Sequence, residues 1–172
     1  AAQGTWSTEY LHDMQMMDSL FTIVQHGSNE KGDGVAIFLD VEASAAYKRT
    51  KTRPVILGTE GRWIGVHLEY EGESEEESDK YFIVSAYAPV GIKSKPAPTD
   101  RYRQMYERYI EETLPDEMFI CGTDSNASMG VAESPDDPVL GIYGQKFKNW
   151  QGAALKNELT LQGLIATSTF HK

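Results

Sequence analysis

Ahead of position 100, the apolar residues fall in short clusters between turn-forming residues rather than at helical spacing, and this restricts the chain to a sheet-based fold. β-Branched and aromatic residues predict strands at 20–25, 35–39, 54–58, 63–70 and 81–87, with another at 117–121. Within 63–70, Ile64, Val66, Leu68 and Tyr70 alternate, which predicts one buried face and one wetter face. The unbroken run Tyr81-Phe82-Ile83-Val84 predicts a central strand covered on both sides. The first clear helix is expected at 100–114, where Tyr102, Met105, Tyr106, Tyr109 and Ile110 recur at three- and four-residue spacing. Thr99 or Asp100 can cap its start and Pro115 ends it, and the aromatic stripe reads as a core face. A second helix is expected from 149 to about 161, stopped by Gly163, followed by a short strand at 164–168. Between the helices, residues 127–146 are rich in Gly, Pro, Ser and Asp and read as a long surface loop. Strands, helix, strand, loop, helix, strand: this order suits an α/β (α+β) domain whose helices cover a largely antiparallel β-sandwich.

A length of 172 residues, 40% of them hydrophobic, provides for one sizeable core, so residues 1–172 read as a single domain. The sequence holds no long apolar run and no leader-like N-terminus, which suggests a soluble, intracellular protein. Its one cysteine, Cys121, closes the apolar run Met118-Phe119-Ile120-Cys121 and reads as a small buried thiol. The net charge of −10 opposes nucleic-acid binding, since phosphate contacts call for basic surface. Six acids and no base occupy 71–79, however, and without them the net charge falls from −10 to −4. That block reads as a solvated loop between two strands.

Three stretches could carry chemistry. Asp124-Ser125-Asn126 follows an apolar run through Gly122 and Thr123, and its Asp and Asn can project together from a strand end. A carboxylate can orient or deprotonate a water and a carboxamide can donate to a phosphate oxygen; the same residue types also make ordinary turns. In Ser85-Ala86-Tyr87-Ala88-Pro89, the proline breaks the strand ladder, so the Tyr87 hydroxyl can sit at a rim, although a core tyrosine is the alternative. In Thr167-Ser168-Thr169-Phe170, a hydroxyl can hold phosphate.

Taken in order, these segments resemble the endonuclease/exonuclease/phosphatase superfamily, and most closely the endonuclease domain of non-LTR retrotransposons, which is related to abasic-site endonucleases. Gly34-Val35-Ala36-Ile37 resembles an early family strand, 85–89 its S-x-Y-x-P motif, and Gly122 to Ala127 its G-D-x-N-A motif; Asn149-x-x-Gly152-x-x-Leu155 and the stretch to Phe170 are similar to the segment ending in T-F. The resemblance implies a DNase I-like four-layer sandwich. It assigns Asp124 to positioning the attacking water, Asn126 and Tyr87 to the scissile phosphate, and Thr169 to the DNA backbone. It further implies Mg²⁺ or Mn²⁺ as cofactor, DNA as substrate, a nuclear location and fusion to a reverse transcriptase.

The chain departs from the pattern at Gln3-Gly4-Thr5-Trp6, where Gly4 stands in place of the family's metal-binding glutamate. Val90 stands where many relatives carry a phosphate-contacting Asn, and His171, two residues past Thr169, does not match the terminal histidine. The family's first Asn-bearing strand, its later Asp and its terminal Asp-His pair have no counterpart within 1–172, so an incomplete sandwich is expected. Each missing acid, base or charge stabiliser costs on the order of 10²- to 10⁴-fold in rate. No Mg²⁺-dependent nicking of supercoiled plasmid is therefore expected from residues 1–172 alone, and a non-catalytic binding module on the same fold is the alternative.

Overall fold

A computed structural model describes residues 2–3, 12–16, 19–27, 34–56, 62–72, 78–88 and 98–171. The described residues form mixed α/β structure with two sheets and three α-helices. The chain divides into two compact units, Ala1–Tyr87 with Ile110–Asp124, and Ala88–Tyr109 with Ser125–Lys172.

The first unit holds both sheets. One contains β1 (Ala2–Gln3), β2 (His12–Met16), β3 (Ser19–Gly27) and β4 (Gly34–Leu39) in the order β1-β4-β3-β2, with every pair antiparallel. The other contains β5 (Val55–Ile56), β6 (Trp63–Tyr70), β7 (Asp79–Tyr87) and β8 (Glu117–Asp124) in chain order. Its strands are antiparallel except for the parallel pair β7–β8. Asp79, the last acid of the charged block, is the first residue of β7, and residues 73–77 of that block lie outside the described residues.

Between β4 and β5 lies a helix that hydrophobic spacing does not reveal, α1 (Val41–Thr50). The Asp40 carboxylate caps it by accepting from the Ala43 N–H at 2.9 Å, Glu42 sits in its first turn, and Lys48 and Arg49 sit in its last. The buried side of α1 is made by Ser44, Ala46 and Tyr47, mostly small residues that leave little apolar periodicity to read. Ser44 knits it to the first sheet, donating to the Leu39 carbonyl (3.1 Å) and accepting from the Thr22 N–H (3.2 Å).

Val24, Val35, Ile37 and Leu39 from the first sheet meet Ile64, Val66 and Leu68 from β6, with Ala46 and Tyr47 closing the core. Tyr81, Ile83 and Tyr87 of β7 pack against the same cluster. Their register partners on β8, namely Met118, Ile120 and Asp124, are exposed. The first sheet therefore covers β6 and β7 and stops short of β8, the edge strand.

The expectation that one face of 63–70 would be wet is overturned, because Gly65 and His67 are buried along with Ile64, Val66 and Leu68. The Phe82 ring covers that second face. It stacks on His67 (centroids 4.6 Å apart) and approaches Gly65 so closely that a Cβ there would lie 2.6 Å from it. His67 Nδ1 lies 2.8 Å from Glu117 Oε1 on β8, while Glu117 Oε2 accepts from the Leu114 N–H at 2.8 Å.

In the second unit, α2 (Pro98–Glu112, assigned there through Tyr109) buries Tyr102, Met105, Tyr106 and Tyr109, and the rings of Tyr106 and Tyr109 meet edge to face. Asn149 caps α3 (Trp150–Leu161), its carboxamide oxygen accepting from the Gly152 and Ser128 N–H groups at 2.7 and 3.2 Å. Gly152 is required by close approach, since a Cβ there would sit 1.8 Å from the Ser128 carbonyl oxygen.

Two further expectations change in this unit. Residues 127–146 do not simply run over the surface, because Val139, Leu140 and Gly141 turn inward and are buried. The Asp137 carboxylate satisfies the Val139 and Leu140 N–H groups at 3.0 Å each and pairs with Lys156. The strand expected at 164–168 is absent: α3 ends before Gly163 (φ +66°), and Thr167–Thr169 form a 3₁₀ turn. The Leu164 N–H bonds back to α3, the Ala166 N–H donates to the Val139 carbonyl, and the Thr169 N–H closes its own turn, so these bonds do not build a ladder with a neighbouring strand.

Candidate active site

Strand register brings two of the expected site residues together. β7 and β8 end side by side with Tyr87 paired to Asp124, so their side chains leave the same face of the sheet from strands about 4.8 Å apart. Asp124 is exposed, whereas Tyr87 is half-buried with its ring partly packed against the core. The core reading of Tyr87 is met in part, by the packing of its ring.

The third strand end adds a cation. The Tyr87 N–H donates to the Arg62 carbonyl at 2.8 Å, which sets Arg62 level with Tyr87 at the start of β6, and the Trp63 indole N–H donates to the Tyr87 carbonyl at 3.3 Å. The Arg62 guanidinium carbon lies 5.3 Å from the Tyr87 ring centroid, within cation–π range. Arg62, Tyr87 and Asp124 thus share one end of the second sheet. Arg62 stands immediately ahead of a recognisable strand, yet it carries no motif, and only the register reveals its neighbours.

The remaining predicted residues lie in the second unit or outside the described residues. Asn126 adopts a left-handed backbone (φ +48°), a conformation Asn tolerates better than most residues, and its amide donates to the Ala88 carbonyl at 2.6 Å. Next to it, the Ser125 carbonyl accepts from the Tyr102 hydroxyl at 2.7 Å, so the segment after β8 is held by side chains of its own unit. Thr169 is buried. Its hydroxyl donates to the Ala166 carbonyl and accepts from the Gly141 N–H, both at 2.7 Å, so in this arrangement its single proton is not directed at a phosphate. His171 is exposed. Gly4, Pro89 and Val90 lie outside the described residues.

Cys121 is half-buried, and burial of its thiol pushes the pKa up to about 12, which leaves it a packing residue rather than a nucleophile. Among the described residues, no three His, Cys, Asp or Glu side chains converge where they could hold a metal ion. At this strand end, Asp124 is the carboxylate of the three-residue cluster, so the described residues do not form a ready cage for Mg²⁺ or Mn²⁺. What the cluster offers is an exposed acceptor for a proton beside a phenol and a guanidinium able to face an anion. Comparison of the chain with protein-family models, with characterised proteins and with solved structures gives no match in any of the three.

Proposed function

We propose that this chain is a phosphodiesterase domain acting on nucleic acid, of the endonuclease/exonuclease/phosphatase type with a DNase I-like sandwich, and closest in kind to the DNA endonucleases of retroelements. The observation that carries the reading is the alignment of Arg62, Tyr87 and Asp124 at one end of the second sheet. The order of the Ser85–Pro89 and Gly122–Ala127 motifs supports it. In this reading, Asp124 accepts the proton of a water that attacks phosphorus in line with the departing oxygen, which leaves with the P–O bond electrons and takes its proton from solvent. The Tyr87 hydroxyl donates to a non-bridging phosphate oxygen, and Arg62 offsets the charge that accumulates there.

A second reading, a binding module without turnover, draws on the internal hydrogen bonds of Asn126 and Thr169, which occupy groups the resemblance would direct at phosphate.

The test is hydrolysis of bis(p-nitrophenyl) phosphate, whose good leaving group requires less of the site than DNA does, in buffers with and without Mg²⁺ or Mn²⁺. Slow turnover is expected, reduced about 10²-fold or more by Asp124→Ala and about 10-fold by Arg62→Ala. Turnover equal in wild type and Asp124→Ala would remove the hydrolytic reading and leave the binding module.

A further inference from the structure

The second unit displays an unusual run of exposed aromatic and basic side chains. From 142 to 148 every residue is exposed, and the run continues past the half-buried Asn149 to Trp150. Tyr143, Phe147 and Trp150 are 38%, 65% and 54% exposed, and Lys146 and Lys148 flank Phe147. Segment 141–150 contains no acid, within a chain of net charge −10.

The segment is fixed at both ends. On one side the Gly141 carbonyl accepts from the Ala132 N–H at 2.8 Å, the Gly141 N–H donates to Thr169 Oγ1 at 2.7 Å, and the Tyr143 N–H donates to the Thr169 carbonyl at 2.9 Å. A Cβ at Gly141 would lie 2.1 Å from that same carbonyl oxygen, so the approach requires glycine. On the other side Lys148 bridges Met129, and the Asn149 N–H donates to the Ser128 carbonyl at 3.0 Å. Gly144, at φ +119°, bends the chain between the two anchors. The result is an arch whose backbone is held while its large apolar side chains face water. Exposing them costs hydration free energy that a bound partner would recover.

The chemistry of the arch selects the partner. Protein interfaces are depleted of lysine at their centres, and here lysines sit on both sides of the most exposed aromatic ring. Duplex nucleic acid hides the faces of its bases in the stack, and two lysines neutralise too little of its charge to bind it well. Single strands expose base faces to aromatic side chains and need only a few cations along the backbone. We propose that arch 142–150 binds single-stranded nucleic acid, with Phe147, Tyr143 and Trp150 stacking on bases and Lys146 and Lys148 holding phosphates. Lys148 lies 3.9 Å from the exposed Glu133 carboxylate, a contact that water screens and a phosphate can replace. The inference goes beyond the hydrolytic reading and can stand without it, because neither the arch nor its test involves Asp124 or turnover.

The test is fluorescence anisotropy of a labelled oligothymidylate of about twelve nucleotides, titrated with the full chain in EDTA at low salt. Binding is expected to weaken with salt at a log–log slope of about −1.4, the value for two phosphates on a single strand. Phe147→Ala should weaken it about 10-fold, and the double variant K146E/K148E should weaken it further and flatten the slope. A duplex of equal length should bind less well than the single strand. Absence of binding, or binding unchanged in both variants while circular dichroism matches wild type, overturns the proposal. Equal affinity for the duplex also overturns it. So does self-association, seen by sedimentation and abolished by Phe147→Ala, since the arch would then be a protein interface.

Discussion

At the scale of single residues, Asp137 shows how one carboxylate organises a segment that sequence alone presents as loop. Its pairing with Lys156, helped by two backbone donors, holds its pKa down to about 2 against the opposing effect of burial. A carboxylate whose folded pKa is depressed contributes stability in full above its ordinary value near 4, and that contribution is lost as pH falls toward 2. Asp137→Asn should therefore lower stability at neutral pH by roughly 1–2 kcal/mol and reduce the loss between pH 4 and 2, as measured by urea denaturation across that range. The motif positions Tyr87, Asp124 and Asn126 were legible because residue type and order are sequence properties. The setting of Tyr87 beside Arg62 was not, since it depends on which residues of three strands lie level.

Elements are joined here by a few contacts that can be tested one at a time. Glu117 links β8 to His67 of β6 and to the turn before it, with both carboxylate oxygens engaged. Glu117→Ala should cost about 1–3 kcal/mol, because it removes the partner of a buried imidazole, whereas Glu117→Gln should cost less. The start of α3 is equally constrained. Gly152→Ala should destabilise the second unit by about 1–3 kcal/mol, seen as a lowered thermal midpoint, because its Cβ would enter the Ser128 carbonyl. Long, strongly patterned elements were readable in advance: β6, β7, α2 and α3 lie within a few residues of their expected bounds. α1 escaped because Tyr47 is the one large residue among those it buries, beside Ser44 and Ala46, too few to show a helical period. The strand expected at 164–168 is absent because the Leu164 N–H bonds back to α3 and the Ala166 N–H to the Val139 carbonyl, instead of to a neighbouring strand.

At the scale of the whole chain, each of the two compact units has its own buried residues. In the first, the core formed between the sheets reaches β6 and β7, while Met118 and Ile120 of β8 stay 60% and 44% exposed. Where the strands lie could be read from the sequence, but which faces are covered and which strand stands at the edge could not, since that depends on what the opposite sheet covers. The parallel joining of β7 to β8 also sets an order of events. β6 and β7 can pair across a short connection, whereas β8 must wait for the chain from 88 to 116 to close. Amide hydrogens of β8 should accordingly exchange faster than those of β7 in native-state measurements, and β8 should gain protection later during refolding. If so, the carboxylate at its end is positioned last and released first, and the readiness of that strand end becomes a matter of timing as well as geometry.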